Sequence, residues 1–379
     1  KIRNKKVKTG KITTREFWNK GIGEGEYRSS FVRRLAAPIF LWIIVVFYIF
    51  IAYKTLEKRK GADYMYQNII VPIDHGNRNM KTPHFIYTSG IEESQTKPPL
   101  GEYLVFKDKY YTLTEKRIPY MRDKTVDDRF FVLTLFGIGM ESERQGIYCP
   151  GELLQVDLPV GLPPKHFGTL YKKFEAYFKS DEVVEYSFHG RSYSVYLENV
   201  MAFPQDYAAA VTIYPKIMNY GKTIVIDIGG FTLDYLLLRG GIPDLAVCDS
   251  LENGVIKLYN NIISRINSEQ DILLEEMDID SILKGENTDY SESVMKTVRD
   301  MAGIFVNDLL GTLRERGIDL KSGCVVFVGG GALLLRKYLE ASEKVGDCFF
   351  IEDIKANAMG YGMLYEREKK AGSAHGKKE

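Results

Sequence analysis

TIVIDIGGFTLDYLLL, Thr223 to Leu238, is the stretch on which the fold turns. Two apolar runs, Ile224–Ile226 and Tyr235–Leu238, flank Asp227, Gly229, Gly230, Thr232 and Asp234. β-Branched and apolar runs separated by a short glycine-containing turn predict a β-hairpin. Paired glycines let the backbone approach a ligand closely, because no Cβ intervenes. A carboxylate at the strand end, with amide and hydroxyl donors on the turn, suits a phosphate and its magnesium. The donors take phosphate oxygens and the carboxylate holds metal-bound water. An ordinary hairpin with a polar tip carries the same pattern.

Three other segments bear on that choice. Upstream, NIIVPIDHGNRNMK (Asn68–Lys81) predicts a strand over Ile69–Ile73, then a polar turn holding Asp74, Gly76, Asn77, Asn79 and Lys81. This is either a surface turn or a second carboxylate-plus-glycine tip whose amine can reach phosphate as a point charge. Ala202-Phe203-Pro204-Gln205-Asp206 opens a predicted helix over Tyr207–Tyr214. A polar side chain at such a start either caps the helix or orients a water. Downstream, the apolar strand Cys324–Val328 runs into Gly329-Gly330-Gly331, and a helix follows over Ala332–Leu339. Strand, glycines and helix N-terminus make an anion or nucleotide platform, although a tight turn needs no more than this.

The rest of the chain is less specific. Residues 82–200 alternate short apolar runs with turns, among them Tyr103–Phe106, Tyr110–Leu113 and Phe130–Ile138. Leu153–Pro164 reads as a strand and a Pro-rich loop, Leu170–Phe178 as an amphipathic helix, and Val183–Phe188 and Ser192–Leu197 as strands joined at His189-Gly190. Leu245–Cys248 is a weaker strand, Ser250–Ile266 has turn residues followed by helical periodicity, Val298–Arg314 reads as an amphipathic helix, and Asn357–Tyr365 predicts a short terminal helix.

Charge divides the chain. Residues 1–62 hold 15 Lys/Arg against 4 Asp/Glu, and the remaining 317 hold 36 against 46. An acidic body is a poor candidate for direct DNA binding. Within the basic head, Ala37–Tyr53 carries no charge and is about the minimum length, roughly 17 residues, for a membrane-spanning helix. A buried core helix is the alternative. Basic residues bracket the run on both sides, so charge assigns no orientation. Four cysteines without a CxxC pair fit a reducing compartment and argue against a disulfide framework or zinc site. There is no P-loop signature and no Ser/His/Asp or Cys/His nucleophile arrangement.

The order of motifs is more specific than any one of them. An Asp-x-Gly hairpin, a Gln helix, an Asp-x-Gly-Gly-x-Thr-x-Asp hairpin, a Gly-Gly-Gly turn and a terminal helix together resemble the superfamily of actin, heat-shock chaperone and sugar kinase ATPases. The texture of DHGNRNMK, FPQDYAAA, DIGGFTLD, ENGVIKL and FVGGGALLL looks most like the bacterial plasmid segregation actins of the ParM/StbA type. The resemblance spans about residues 66–366.

It implies an α/β fold: two ribonuclease H-like (actin-like ATPase) domains with a nucleotide cleft between them, preceded by the head and apolar helix. The first domain would span 63–222, with 354–366 packing back on it. The second would span 223–353, with a small helical subdomain at about 264–300, and 367–379 would be a disordered tail. ATP, with GTP as the alternative, and magnesium would be the cofactors. Asp74 and Asp227 would hold the metal through water. Gly76, Asn77, Asn79 and Lys81 would take phosphates from one side, and Gly229, Gly230 and Thr232 from the other. Gln205 would position the attacking water, and Gln205, Asp227 and Asp74 would form the catalytic set. Gly329, Gly330 and Gly331 would cradle the adenosine, with Glu252 and Lys257 near ribose and base. Phosphoryl transfer needs positioning and charge neutralisation more than covalent chemistry. His75 and Arg78 depart from the family's first loop, and the head is foreign to typical plasmid segregation actins.

The expected function is a cytoplasmic ATPase whose partner is itself, as a filament. It would partition plasmid or other mobile DNA through a DNA-bound adaptor, with hydrolysis controlling filament turnover. A membrane-tethered scaffold of cell division or cell shape, anchored to the inner face of the membrane by 37–53, is the second reading. A small-molecule kinase of the same fold is the third; it needs a catalytic carboxylate where the chain offers Gln205.

Overall fold

A computed structural model describes residues 66–148, 151–286 and 289–375. The basic head and the candidate span 37–53 lie outside the described residues. Among the described residues no helix is long and apolar enough to cross a membrane.

In chain order the elements are β1 (Tyr66–Ile70), β2 (Asp74–His75), β3 (Asn79–Lys81), β4 (Ile86–Thr88), β5 (Ile91–Ser94), β6 (Leu104–Phe106), β7 (Lys109–Leu113), α1 (Arg129–Arg144), β8 (Leu153–Leu162), α2 (Pro164–Phe178), β9 (Val184–Phe188), β10 (Arg191–Pro204), α3 (Tyr207–Val211) and α4 (Tyr214–Ile217). There follow β11 (Lys222–Ile228), β12 (Leu233–Arg239), β13 (Ile242–Leu251), α5 (Val255–Gln270), α6 (Glu276–Lys284), α7 (Glu292–Glu315), β14 (Cys324–Val328), α8 (Gly330–Leu334), α9 (Arg336–Glu340), β15 (Asp347–Phe350) and α10 (Ala356–His375).

Two main sheets organise these elements. The first has the order β1-β8-β10-β9-β6-β7-β5, with β1 and β10 parallel to β8. The second has the order β13-β12-β11-β14-β15. Within it β11 and β12 form the predicted hairpin, with Asp227 opposite Asp234, and β14 lies parallel to β11. A small third sheet, β2-β3-β4, carries the DHGNRNMK turn. The chain between β1 and β2 stays beside β8 through Val71 N–H to Asp157 O (2.9 Å) and Ile73 N–H to Pro159 O (2.9 Å). Pro72 has no N–H to give and interrupts the formal strand.

β11 reads as continuously apolar because the second sheet is covered on both faces. Ile224, Ile226 and Ile228 pack with Val325 and Phe327 beneath α5 and α7. The alternate residues Val225, Leu236, Val326 and Val328 pack with Ala209, Ala210 and Ile217 of α3 and α4. On the first sheet, α1 and α2 bury Phe130, Phe136, Phe174 and Phe178.

Four expectations change. Phe130–Ile138 is not a short run between turns but most of α1, and nearly every residue in it is buried, which erases the one-sided helical pattern. The helix expected over Tyr207–Tyr214 breaks into α3 and α4, because Pro215 lacks the N–H a continuous helix would use. The helix over Ala332–Leu339 starts two residues early and is interrupted at Leu335. The terminal helix extends to His375, so residues 367–375 are helical rather than part of a disordered tail. Lys369 within it pairs with Asp157 at 2.8 Å.

Candidate functional site

The DHGNRNMK turn, the β10–α3 corner, the β11–β12 tip and the β14–α8 turn open onto one cleft of about 460 Å³. That volume lies in the ordinary range for small-ligand sites. Asp74, Gly76, Asn77, Asn79, Lys81, Gln205, Asp227, Gly229, Gly230, Thr232, Gly329, Gly330 and Gly331 all line it. Glu252 and Lys257 are not among its lining residues. Lys257 lines a separate groove between α5 and α7, and its Nζ donates to Asn253 Oδ1 at 2.8 Å.

Asp74 is the hub of the first wall. It is 1 % exposed. Lys81 Nζ donates to its Oδ2 and Gln205 Nε2 to its Oδ1, both at 3.0 Å. Burial alone would lower the Lys81 pKa, but Asp74 and Asp227 outweigh it and hold the ammonium charged. Gln205 follows the last residue of β10, and its N–H bonds Leu162 O at the end of β8 (2.8 Å). Asp206 then adopts φ 62°, ψ −54°, and Tyr207 N–H closes back on Gln205 O at 2.5 Å. This is a γ-turn with positive φ, a strained form of the kind concentrated at functional sites. It turns the chain sharply at Gln205, whose carboxamide is only partly buried.

The second wall is the hairpin tip. Its carbonyls are tied to the start of α5: Gly254 N–H to Phe231 O (3.0 Å), Val255 N–H to Gly229 O (3.1 Å) and Ile256 N–H to Gly230 O (2.9 Å). The Gly229 N–H is itself taken by Thr232 O at 2.9 Å, and Thr232 Oγ1 donates to Asp234 Oδ2 at 2.8 Å. Asp227 receives Asn357 Nδ2 at 3.1 Å, and Asn357 Oδ1 accepts the Asp206 N–H at 3.1 Å. Burial raises the Asp227 pKa to about 7, with Lys81 and Asn357 opposing the rise and Asp234 and Asp74 adding to it. Burial likewise raises Asp206 well above the usual carboxylate range, helped by Asp227, Asp234 and Asp74.

The third element needs its glycines. Gly329 sits at φ 90°, ψ 160°, a region essentially closed to other residues. A Cβ there would fall 2.2 Å from Asp227 Oδ1, and one on Gly331 would fall 2.7 Å from Ile228 O. The backbone of the α8 N-terminus is therefore pressed against the strand that carries Asp227.

Sequence reasoning missed several lining residues: Lys124, Pro163, Tyr259, Asp280, Lys284 and Asn357. Asp280 and Lys284, one turn apart on α6, occupy the end of the cleft beside α8, where Glu252 and Lys257 had been expected. Their i, i+4 spacing was the available signal. Arg78, noted as a departure, spans the cleft: it pairs with Glu276 at 3.4 Å and lies 5.7 Å from the Tyr259 ring centroid. Arg117 reaches the same Glu276 at 2.8 Å.

Magnesium and a nucleotide fit this residue set. Among the described residues no group of three or more His, Cys, Asp and Glu forms a ready metal cage. Magnesium rarely needs one, since it keeps water and binds one or two carboxylates together with phosphate. Asp234 Oδ1, on a residue that lines the cleft, and both oxygens of Asp206, next to Gln205, are buried without hydrogen-bond partners, so the cleft holds an uncompensated acceptor.

Residues 225–341 match the model of a family described as archaeal actin homologue MreB-like, C-terminal. Among solved structures, the chain is similar to Ta0583, an archaeal actin homolog, at 18 % identity over 79 % of this chain and 99 % of that one, with a TM-score of 0.64. The TM-score against its complex with ADP is 0.61. Bacillus thuringiensis ParM with ATP matches at 12 % identity, 79 % and 98 % coverage and a TM-score of 0.58. The Alp12 filament structure matches at 14 %, 79 % and 99 %, and 0.57. No curated protein matches the chain. The described body has the fold of the actin-like ATPase superfamily, and ParM-type proteins are among its structural neighbours.

Proposed function

We propose that the body is an ATPase that assembles into filaments, with nucleotide held between its two halves and hydrolysis governing filament turnover. The observation that carries this reading is the Asp74 hub, which fixes Lys81 and Gln205 on one wall while Asp227, braced by Asn357, stands on the other. Magnesium, when bound with its water between Asp74 and Asp227, would neutralise charge on the phosphate oxygens. Lys81 supplies a fixed positive charge to the phosphates, and Asn77 and Asn79 supply amide donors. Gln205 is clamped through its Nε2, which leaves its carbonyl oxygen to accept from a water and align it in line with the terminal phosphate. Gly329–Gly331 let the α8 N-terminus approach the nucleoside end. The related structures solved with ADP, with ATP and as a filament support the same reading.

The finer role is partition of plasmid or other mobile DNA through a DNA-binding adaptor, consistent with an acidic body that is ill suited to contacting DNA itself. The uncharged run Ala37–Tyr53 favours a second reading, a membrane-tethered scaffold. Light scattering and pelleting of the full chain with magnesium and ATP, ADP or no nucleotide test the filament. Assembly should require ATP. A chain that binds ATP yet neither scatters nor pellets at any concentration would refute filament formation. Co-flotation of the full chain with anionic vesicles would favour the tethered scaffold.

A further inference from the structure

The β7–α1 connection puts into the cleft a cation that no sequence motif announces. Lys124 is 7 % exposed, and its Nζ donates to the His75 carbonyl while lying 5.4 Å from the Phe130 ring centroid. Its neighbours explain its aim. Asp123 accepts Thr125 N–H (3.0 Å) and Thr125 Oγ1 (2.6 Å), and its other oxygen takes Lys173 Nζ at 2.5 Å on the exposed side. This tight local turn faces Asp123 outward and Lys124 inward.

Lys81 is paired with Asp74, and Arg78 with Glu276. Among the described residues no carboxylate lies within ion-pair distance of Lys124. A buried ammonium without a counter-ion is costly. Burial accordingly lowers its pKa to about 8, with Asp74 opposing and Lys81 adding to the fall. An ammonium has three donors, and one carbonyl occupies one of them.

The cleft also has a direction. Lys284 and Leu334 flank its α8 end. Lys124 lies beside the Asp74–Gln205 pair: its Nζ meets the residue after Asp74, it borders Leu162, and Leu162 O anchors Gln205. A nucleotide with its nucleoside at α8 and its terminal phosphate at Gln205, as proposed above, would bring that phosphate beside Lys124.

We propose that Lys124 is a ligand of the terminal phosphate of a bound nucleoside triphosphate, and so distinguishes triphosphate from diphosphate. This rests on the cleft being a nucleotide site. An anion delivered to Lys124 supplies the counter-charge that the protein itself withholds, and the interaction exists only while the third phosphate is present.

The test uses the full chain, magnesium, the non-hydrolysable analogue AMPPNP, and ADP. Lys124→Met keeps the stem and removes the charge. It should weaken AMPPNP about 10- to 100-fold, as expected for a lost charge-assisted hydrogen bond, and ADP less than about threefold. Lys124→Arg should restore part of the AMPPNP affinity. Without nucleotide, Lys124→Met should melt no lower than the native chain, because a buried unpaired charge has gone, yet it should gain less from AMPPNP. A lower melting temperature without nucleotide would make Lys124 a structural support and overturn the proposal. If the native chain binds AMPPNP and the variant keeps the native AMPPNP-to-ADP ratio, the proposal alone fails. If the native chain binds neither nucleotide, the nucleotide reading of the cleft fails and takes this proposal with it.

Discussion

Asp227→Asn separates the electrostatic cost of the cleft from its use. Burial raises Asp227 from the ordinary 3.8 to about 7, so the folded chain holds a proton there that the unfolded chain releases. A raised carboxylate favours the folded state fully below 3.8, and the advantage is lost as pH rises through about 7. In full this corresponds to about 4 kcal/mol, and between about pH 5.5 and about pH 8 to about 2 kcal/mol. Asparagine never ionises, and its amide oxygen can still accept from Asn357 Nδ2. The nucleotide-free variant should therefore be more stable than the native chain at pH 8, and the gap should narrow by about 2 kcal/mol at pH 5.5. Urea denaturation of both full chains at the two pH values reads this difference. Groups that do not interact with Asp227, such as His75, whose pKa burial and Lys124 push well down, act equally in both chains and cancel. Magnesium with ATP should stabilise the native chain and leave the variant unchanged. Two parallel stability curves, or a gap that widens at low pH, would refute the placement of a proton-holding carboxylate at Asp227.

Gln205→Ala should leave ATP affinity within about threefold and slow phosphate release by about 10- to 100-fold; unchanged turnover would remove Gln205 from the water's surroundings. Glu276→Gln frees Arg78 and Arg117 together. These groups are about a third exposed, so denaturation should show a loss of no more than about 1 kcal/mol, while stopped-flow exchange should show nucleotide leaving several-fold faster. An unchanged exit rate would mean that the clasp does not restrain the cleft. Gly329→Ala places a Cβ against Asp227 Oδ1 in a backbone region closed to alanine. It should cost about 1–3 kcal/mol and abolish nucleotide-induced stabilisation, as thermal melts with and without ATP would show.

The parts legible in the sequence were those where local chemistry and tertiary role coincide. The β11–β12 hairpin could be read because Gly229-Gly230 marks a turn that the two apolar runs require in any context. The β14–α8 turn was legible for the same reason, since φ 90° at Gly329 admits little but glycine. Lys124, Asp280 and Asn357 carry no such local mark; the β7–α1 connection, α6 and α10 bring them to the cleft from places far apart in the sequence. Lys257 shows the converse. It lies in the first turn of α5, close in sequence to the hairpin tip, yet helical geometry points it back to Asn253 and away from the cleft. α1 was obscured by its own burial, because a helix enclosed on nearly every side shows no polar stripe to betray its period.

The same burial explains why the cleft is more than a gap between two sheets. A protein gains nothing in stability by enclosing Asp74, Asp206, Asp227 and Asp234 near one another. Two of them keep oxygens without partners, and protons offset the repulsion in the folded chain. Lys124, buried without a carboxylate of its own, is the complementary expense on the opposing charge. Direct pairing of these groups would have cancelled both costs, yet the Asp123 turn holds Lys124 on the His75 carbonyl instead. Opposite charges kept apart at close range favour a ligand that is itself divided, with a cation facing the carboxylates and an anion facing the ammonium. A magnesium-bound triphosphate has that division, and a neutral metabolite or a lone sugar does not.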